Sequence, residues 1–133
     1  MPDPTPAAYL AKAQQSLAAA ELALQAHLFD ASANRAYYAA FQAALAALWV
    51  EGIRPPRESD HTLSHTRVQN EWSGRLLYRR KLYPAEFRDT LRRLYLVRTV
   101  ADYRPAPVAE RRARRAVLEA RQMVAAVAAR LDV

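Results

Sequence analysis

A chain of 133 residues that is 52% hydrophobic, with two glycines and no cysteine, has the apolar surface for a buried core. It lacks the residues for a disulfide framework, a thiolate metal site, a cysteine nucleophile or a glycine-rich phosphate loop. The formal net charge of +7 is unevenly placed: residues 1–52 hold 2 basic and 4 acidic groups, a balance of −2, and residues 53–133 hold 18 basic and 9 acidic groups, a balance of +9. The basic half either attracts nucleic acid or an acidic partner, or reflects helices solvated by arginine, which outnumbers lysine 18 to 2.

In chain order, Thr5 followed by Pro6 starts a first helix, because threonine caps orphan amides and proline needs no amide bond at that position. Leu10, Leu17 and Leu24 recur every seven residues, with Ala13, Ala20 and Leu28 beside them, which predicts an amphipathic helix of about six turns ending near Leu28–Phe29. Asp30 or Ser32 then caps a central helix over Ala31–Val50. So short a connection makes the two an antiparallel pair. The central segment has no charge between Arg35 and Glu51, so it is apolar nearly all round and has to be wrapped by other helices. Arg35, Ala39, Gln42 and Ala46 form a small or polar strip where another backbone can approach, within the bundle or across a dimer interface.

Gly52 ends that helix, and Pro55–Pro56 delay the next. Ser59 and Asp60 are candidate caps for a third helix carrying Leu63, Val68, Trp72, Leu76 and Leu77, whose loose periodicity predicts a short or broken element. The basic loop Arg79–Arg80–Lys81 follows. Pro84 is read as opening a fourth helix with Phe87, Leu91, Leu94, Arg98 and Ala101 on one stripe. Pro105 and Pro107 end it at Tyr103. A fifth helix from about Pro107 to Leu131 turns Val117, Ala120, Val124, Val127 and Leu131 inward. The expected fold is all-α, an up-and-down bundle of four long helices plus a short fifth, forming a single domain over 1–133 and a homodimer through the central and fourth helices. The N-terminus has no basic start followed by an apolar core, and the uncharged run 36–50 falls short of the ~20 residues a bilayer needs. A cytoplasmic protein with no membrane span is expected.

Three stretches carry a family resemblance. The run Asn34-Arg35-Ala36-Tyr37-Tyr38-Ala39-Ala40-Phe41 resembles the R-x-Y-Y-A-x-F signature helix of small bacterial and archaeal HEPN-domain proteins. His65, Val68 and Trp72 match the histidine and V-x-x-x-aromatic pattern that follows in that family, and the stretch 74–84 resembles its next loop. The segment LYLVRTVADY, 94–103, resembles the R-x-x-A-D-Y end of the family's fourth helix. The resemblance implies an RNA-binding protein or metal-independent ribonuclease of the toxin type, with no cofactor, that forms a homodimer and works with a minimal nucleotidyltransferase antitoxin. In some such systems the nucleotidyltransferase attaches nucleotides to a tyrosine near this motif, and Tyr103 is the candidate here. The other reading is a catalytically inactive HEPN module that binds a nucleotide or a protein partner.

In the ribonucleases of that family an arginine and, four to six residues on, a histidine meet in a dimer cleft. One group moves the ribose 2′-hydroxyl proton while arginine steadies phosphate. Arg98 matches the arginine, and Tyr103 stands where the histidine would be. An unperturbed phenol, with a pKa near ~10, is a poor proton acceptor at neutral pH but donates a hydrogen bond, and Asp102 is close enough to take part. The catalytic candidates are therefore Arg98, Asp102 and Tyr103. Arg98 and Asp102, four apart, could equally form a plain ion pair on one helix. Arg35, Asn34, Tyr38 and His65 are the candidate nucleic-acid or nucleotide-binding residues: Arg35 either points into the cleft of Arg98 or pairs with an acid such as Glu21 or Asp102. Tyr37 and Tyr38 otherwise read as core aromatics. His61 and His65 have the four-residue spacing of helical metal ligands, but no glutamate lies between them, and a solvated or hydrogen-bonded role fits better. Arg111, Arg112, Arg114 and Arg115 read as a solvated face or a phosphate contact. No ordered serine, histidine and acid suggest a hydrolase triad.

Overall fold

Alanine sets the spacing of this bundle. The computed structural model describes residues 4–57 and 63–131. Its central helix, α2 (Phe29–Val50), buries Ala33, Ala36, Ala39, Ala40, Ala43, Ala44, Ala46 and Ala47 together with Tyr37, Phe41, Leu45, Leu48 and Trp49. Side chains that small let neighbouring backbones come close, and the larger ones fill the gaps between them. The first helix, α1 (Pro6–Gln25), packs along it. The strip of Ala39, Gln42 and Ala46 lies within the bundle, and the Gln42 amide meets the Ser16 hydroxyl of α1 at 2.7 Å. The buried face of α1 is Tyr9, Ala13, Ser16 and Ala20, while Leu10, Leu17 and Leu24 flank the core. The heptad of leucines thus marks the edge of the contact, and the small residues beside it mark the centre.

The helix ends follow local chemistry in part. Thr5 caps α1 as expected, its Oγ1 accepting from the Ala8 amide at 3.0 Å. The helix stops at Gln25, short of Leu28–Phe29, because His27 takes a left-handed φ of 61° and the Leu28 amide folds back to the Ala23 carbonyl at 2.8 Å. Leu28 is exposed rather than packed. Gly52, at φ 75°, closes α2 by the same pattern, with the Ile53 amide donating to the Leu48 carbonyl at 2.9 Å.

α2 begins two residues before Ala31, and neither Asp30 nor Ser32 caps it. The Asp30 carboxylate instead accepts the backbone N–H of Val108 at 2.8 Å, and the Ser32 hydroxyl donates to the Phe29 carbonyl at 2.9 Å. Committing Asp30 to Val108 also explains the late start of α5 (Glu110–Leu131): residue 108 is tied to α2 and buried against Ala33 and Ala113.

The third helix is indeed broken. α3 (His65–Asn70) is capped by Ser64, whose Oγ accepts from the Arg67 amide at 3.3 Å; the caps expected at Ser59 and Asp60 lie outside the described residues. It runs on as a π-helical stretch, Glu71–Arg79, whose wider turn brings Trp72, Leu76 and Leu77 inward behind Val68. That mixed winding is the source of the loose periodicity. Pro84 opens only a 3₁₀ turn, Ala85–Phe87, where the Phe87 carbonyl accepts the Trp72 indole N–H at 2.9 Å. α4 (Thr90–Tyr103) starts beyond it. On α5, Val117, Ala120, Val124 and Val127 are buried as expected, with Leu131 at the edge. The chain is an all-α bundle of four longer helices and the short α3, and the described residues contain no strand.

Overpacking the alanine seam tests this packing. Ala40→Leu should destabilise the protein by about 1–3 kcal/mol, read as a lower urea midpoint at unchanged slope, whereas Leu at the exposed Ala18 should change it little.

Candidate functional site

Leu91 and Leu94 dock α4 on the core, and one turn on, the same stripe carries Arg98 inward. Only 14% of its side-chain surface remains exposed. The guanidinium carbon lies 5.4 Å from the Tyr38 ring centre and 5.9 Å from those of Tyr37 and Tyr95. Faces of aromatic rings attract a cation without neutralising it. Neutralisation comes from Asp102, which accepts the Arg98 Nε–H at 2.9 Å.

Asp102 is shared. Both its oxygens also lie within reach of Asn34 Nδ2, at 3.2 and 3.1 Å, and Asn34 Oδ1 accepts from Arg35 Nε at 3.0 Å and Nη2 at 2.8 Å. Arg35 sits 4.9 Å over the Tyr38 ring. Of the two pairings open to it, the one with Glu21 is not made, because Arg121 of α5 holds Glu21 at 3.0 Å. Arg35 reaches Asp102 through the asparagine instead. Two guanidiniums therefore flank Tyr38 with one carboxylate between them, and the cluster is left with a net positive charge. Burial works against the Arg98 charge, but Tyr38, Asp102 and Tyr103 outweigh it and hold the guanidinium above its ordinary pKa.

His65 stands at the first position of α3, beside the same rings. Its ring centre is 4.8 Å from Phe41, 5.5 Å from Tyr37 and 5.8 Å from Tyr95, and its Nδ1 is 2.6 Å from the Tyr37 hydroxyl. Burial, and then the nearby Arg98 charge, push the imidazole below its usual pKa, so it is neutral at pH 7. Burial pushes the Tyr37 phenol well above the ordinary range, so it keeps its proton. The residues read from the sequence as binding candidates, Asn34, Arg35, Tyr38 and His65, thus gather with Arg98 and Asp102. Tyr103 is different: it ends α4 with 72% of its surface exposed, and its hydroxyl makes no hydrogen bond among the described residues.

Tyr95 is absent from the sequence candidates although it lies against both Arg98 and His65. Its position three residues before Arg98 on one helix is the signal that points to it. His61, the other half of the four-residue histidine pair, lies outside the described residues. In the block at 111–115, Arg114 pairs with Glu110 at 2.7 Å and Arg115 with Glu119 at 3.6 Å, as a solvated face would. Arg93, Arg112 and Arg115 border a groove of about 220 Å³ floored by Leu94, Val97 and Ala116, between α4 and α5. The middle of α2 is covered by its own chain, so of the two helices expected at a dimer interface, α4 offers most of the free surface, including Leu96 and Tyr103.

The family model of the HEPN domain matches residues 7–130. No curated protein matches the chain.

The neutral His65 gives a pH signature. Below the unfolded-state pKa of about 6.5 the unfolded chain binds the proton that the folded imidazole resists, so this group's contribution to stability is whole above that pH and declines as pH falls toward the folded value. Imidazole NMR should place the His65 midpoint below 6.5, and His65→Phe should flatten the acid side of a stability–pH curve below that value. A midpoint at or above it contradicts the environment described.

Proposed function

The chain belongs to the HEPN-domain family, and on that premise we propose that it is a single HEPN-like domain that grips RNA phosphate at the Arg98 cluster and cleaves RNA there without a metal. The observation that carries this reading is the charge arrangement: Arg98 pairs with the Asp102 carboxylate and Arg35 is linked to it only through Asn34, leaving a fixed positive charge set among aromatic faces. A guanidinium already oriented by Asp102 through Nε still has its outer N–H groups for a phosphate oxygen. Because those donors are pre-placed, little reorganisation is needed as charge develops on the phosphorus oxygens.

The biological setting that fits is a toxin component acting as a homodimer, held in check by a minimal nucleotidyltransferase antitoxin. The exposed hydroxyl of Tyr103, next to Asp102 and close enough to influence Arg98, is the acceptor such an enzyme would reach. Nucleotide added there would place new phosphate charge beside the cluster and compete with RNA for it. A second reading is favoured by one specific feature: a phenol, not an imidazole, occupies position 103. In that reading the cluster holds a nucleotide or a protein partner and no bond is broken.

Incubation with tRNA and total RNA in the absence of metal, beside Arg98→Ala, separates these. We expect products from the wild type only. For a single-stranded oligonucleotide, the plot of log affinity against log salt should become shallower in the variant by about 0.7 for every phosphate it no longer neutralises. Identical products and identical salt slopes would remove Arg98 from the function.

A further inference from the structure

We propose that His65, supplied by α3, is the proton acceptor at the Arg98 site, taking the place of the imidazole that position 103 lacks. This rests on the reading of the cluster as an RNA site. The two groups are separated in sequence by 33 residues and brought together by the rings they share: Tyr37, Tyr38 and Tyr95 each lie against both the Arg98 guanidinium and the His65 imidazole. A phosphate gripped by Arg98 and the His65 imidazole would thus border the same aromatic patch.

The hydrogen bonding of the histidine suits the task. Its Nδ1 is engaged by the Tyr37 hydroxyl at 2.6 Å, while among the described residues nothing bonds Nε2. In the tautomer that carries its proton on Nδ1, that N–H donates to the Tyr37 oxygen and Nε2 keeps its lone pair, and this is the tautomer the reaction uses. The groups facing the ring are Tyr37, Tyr38 and Phe41 from α2 and Tyr95 and Arg98 from α4; among the described residues no carboxylate touches it. An imidazole in that setting is unprotonated at neutral pH and ready to accept. The cost of then placing an imidazolium near Arg98 is offset by the phosphate, whose negative charge grows between the two cations as the reaction proceeds.

In the cleavage step the ribose 2′-hydroxyl gives its proton to His65 Nε2, and its oxygen bonds to phosphorus as the bond from phosphorus to the 5′-oxygen breaks. The leaving oxygen takes a proton from water, and the imidazolium later returns its proton to solvent. The products are a 2′,3′-cyclic phosphate and a 5′-hydroxyl. Tyr37 is a positioning residue that fixes which imidazole nitrogen is free.

The test uses the full chain, a 5′-labelled single-stranded RNA and its 2′-O-methyl counterpart, which binds without reacting. His65→Gln should lower the cleavage rate by about 10²-fold or more while affinity for the 2′-O-methyl strand stays at the wild-type value. Arg98→Ala should lose both. The wild-type rate should rise with pH to a plateau with a midpoint below the ordinary histidine value, and Tyr37→Phe should move that midpoint with affinity unchanged. If His65→Gln melts early, the wild-type profile decides, since a rate with no acid limb overturns the proposal. Wild-type cleavage by His65→Gln, or Arg98-dependent binding by a wild type that never cleaves, overturns the role of His65 and leaves the RNA site standing. A wild type that binds neither strand overturns both.

Discussion

A guanidinium with one seventh of its surface in water, set among three phenol rings, keeps its charge only if something fixed answers it. Asp102, one turn away on α4, does so, and because that carboxylate also takes the Asn34 amide, the answer couples two helices rather than one. An ion pair confined to one exposed helix contributes a few tenths of a kcal/mol. This one is half-buried and is tied across α2 and α4, so its worth lies in fixing where the positive charge sits more than in added stability. Arg35 then lies on the far side of the same asparagine, and the charge that remains after the pairing is a property of the whole cluster.

The cluster depends on the bundle in a specific way. Alanines on α2 bring α1 and the other helices close enough that the wide side chains, Tyr37, Phe41 and Trp49, must emerge at defined points along it. Tyr37 and Phe41 emerge where α3 begins, and there they seat His65. α4 is fully buried only at Thr90, Leu91 and Leu94, while its last turns rest Val97, Val100 and Ala101 against the small cluster of Ala33, Val108 and Ala113 and carry Arg98, Asp102 and Tyr103 toward the edge. Fold and site thus share one helix, α2, whose middle belongs to packing and whose first turns belong to chemistry.

Much of this is legible in the chain. The wrapped central helix, the threonine cap of α1, the glycine end of α2 and the broken third helix all follow from local residue choice, and the R-x-Y-Y and R-x-x-A-D-Y stretches mark the helix faces that meet. What stays hidden requires contacts across the fold. Asp30 looks like a cap until Val108, 78 residues on, claims its carboxylate. Pro84 looks like a helix start until the Trp72 indole takes the Phe87 carbonyl. His65 reads as a binding candidate or a solvated or hydrogen-bonded histidine, and its partner stays unnamed until Tyr37, 28 residues earlier, engages one of its nitrogens. In each case a polar group that could be satisfied locally is satisfied by a distant partner, and sequence spacing carries no record of that choice.

The central claim is that Arg98, rather than the arginines of α5, is where phosphate is gripped. The most direct measurement is side-chain NMR of arginine Nε–H groups and histidine rings during titration with an unreactive 2′-O-methyl RNA. The account predicts that the Arg98 Nε signal and the His65 ring signals move together, along a single binding curve. Shifts confined to Arg111, Arg112, Arg114 and Arg115, with Arg98 and His65 unmoved at saturation, would contradict it.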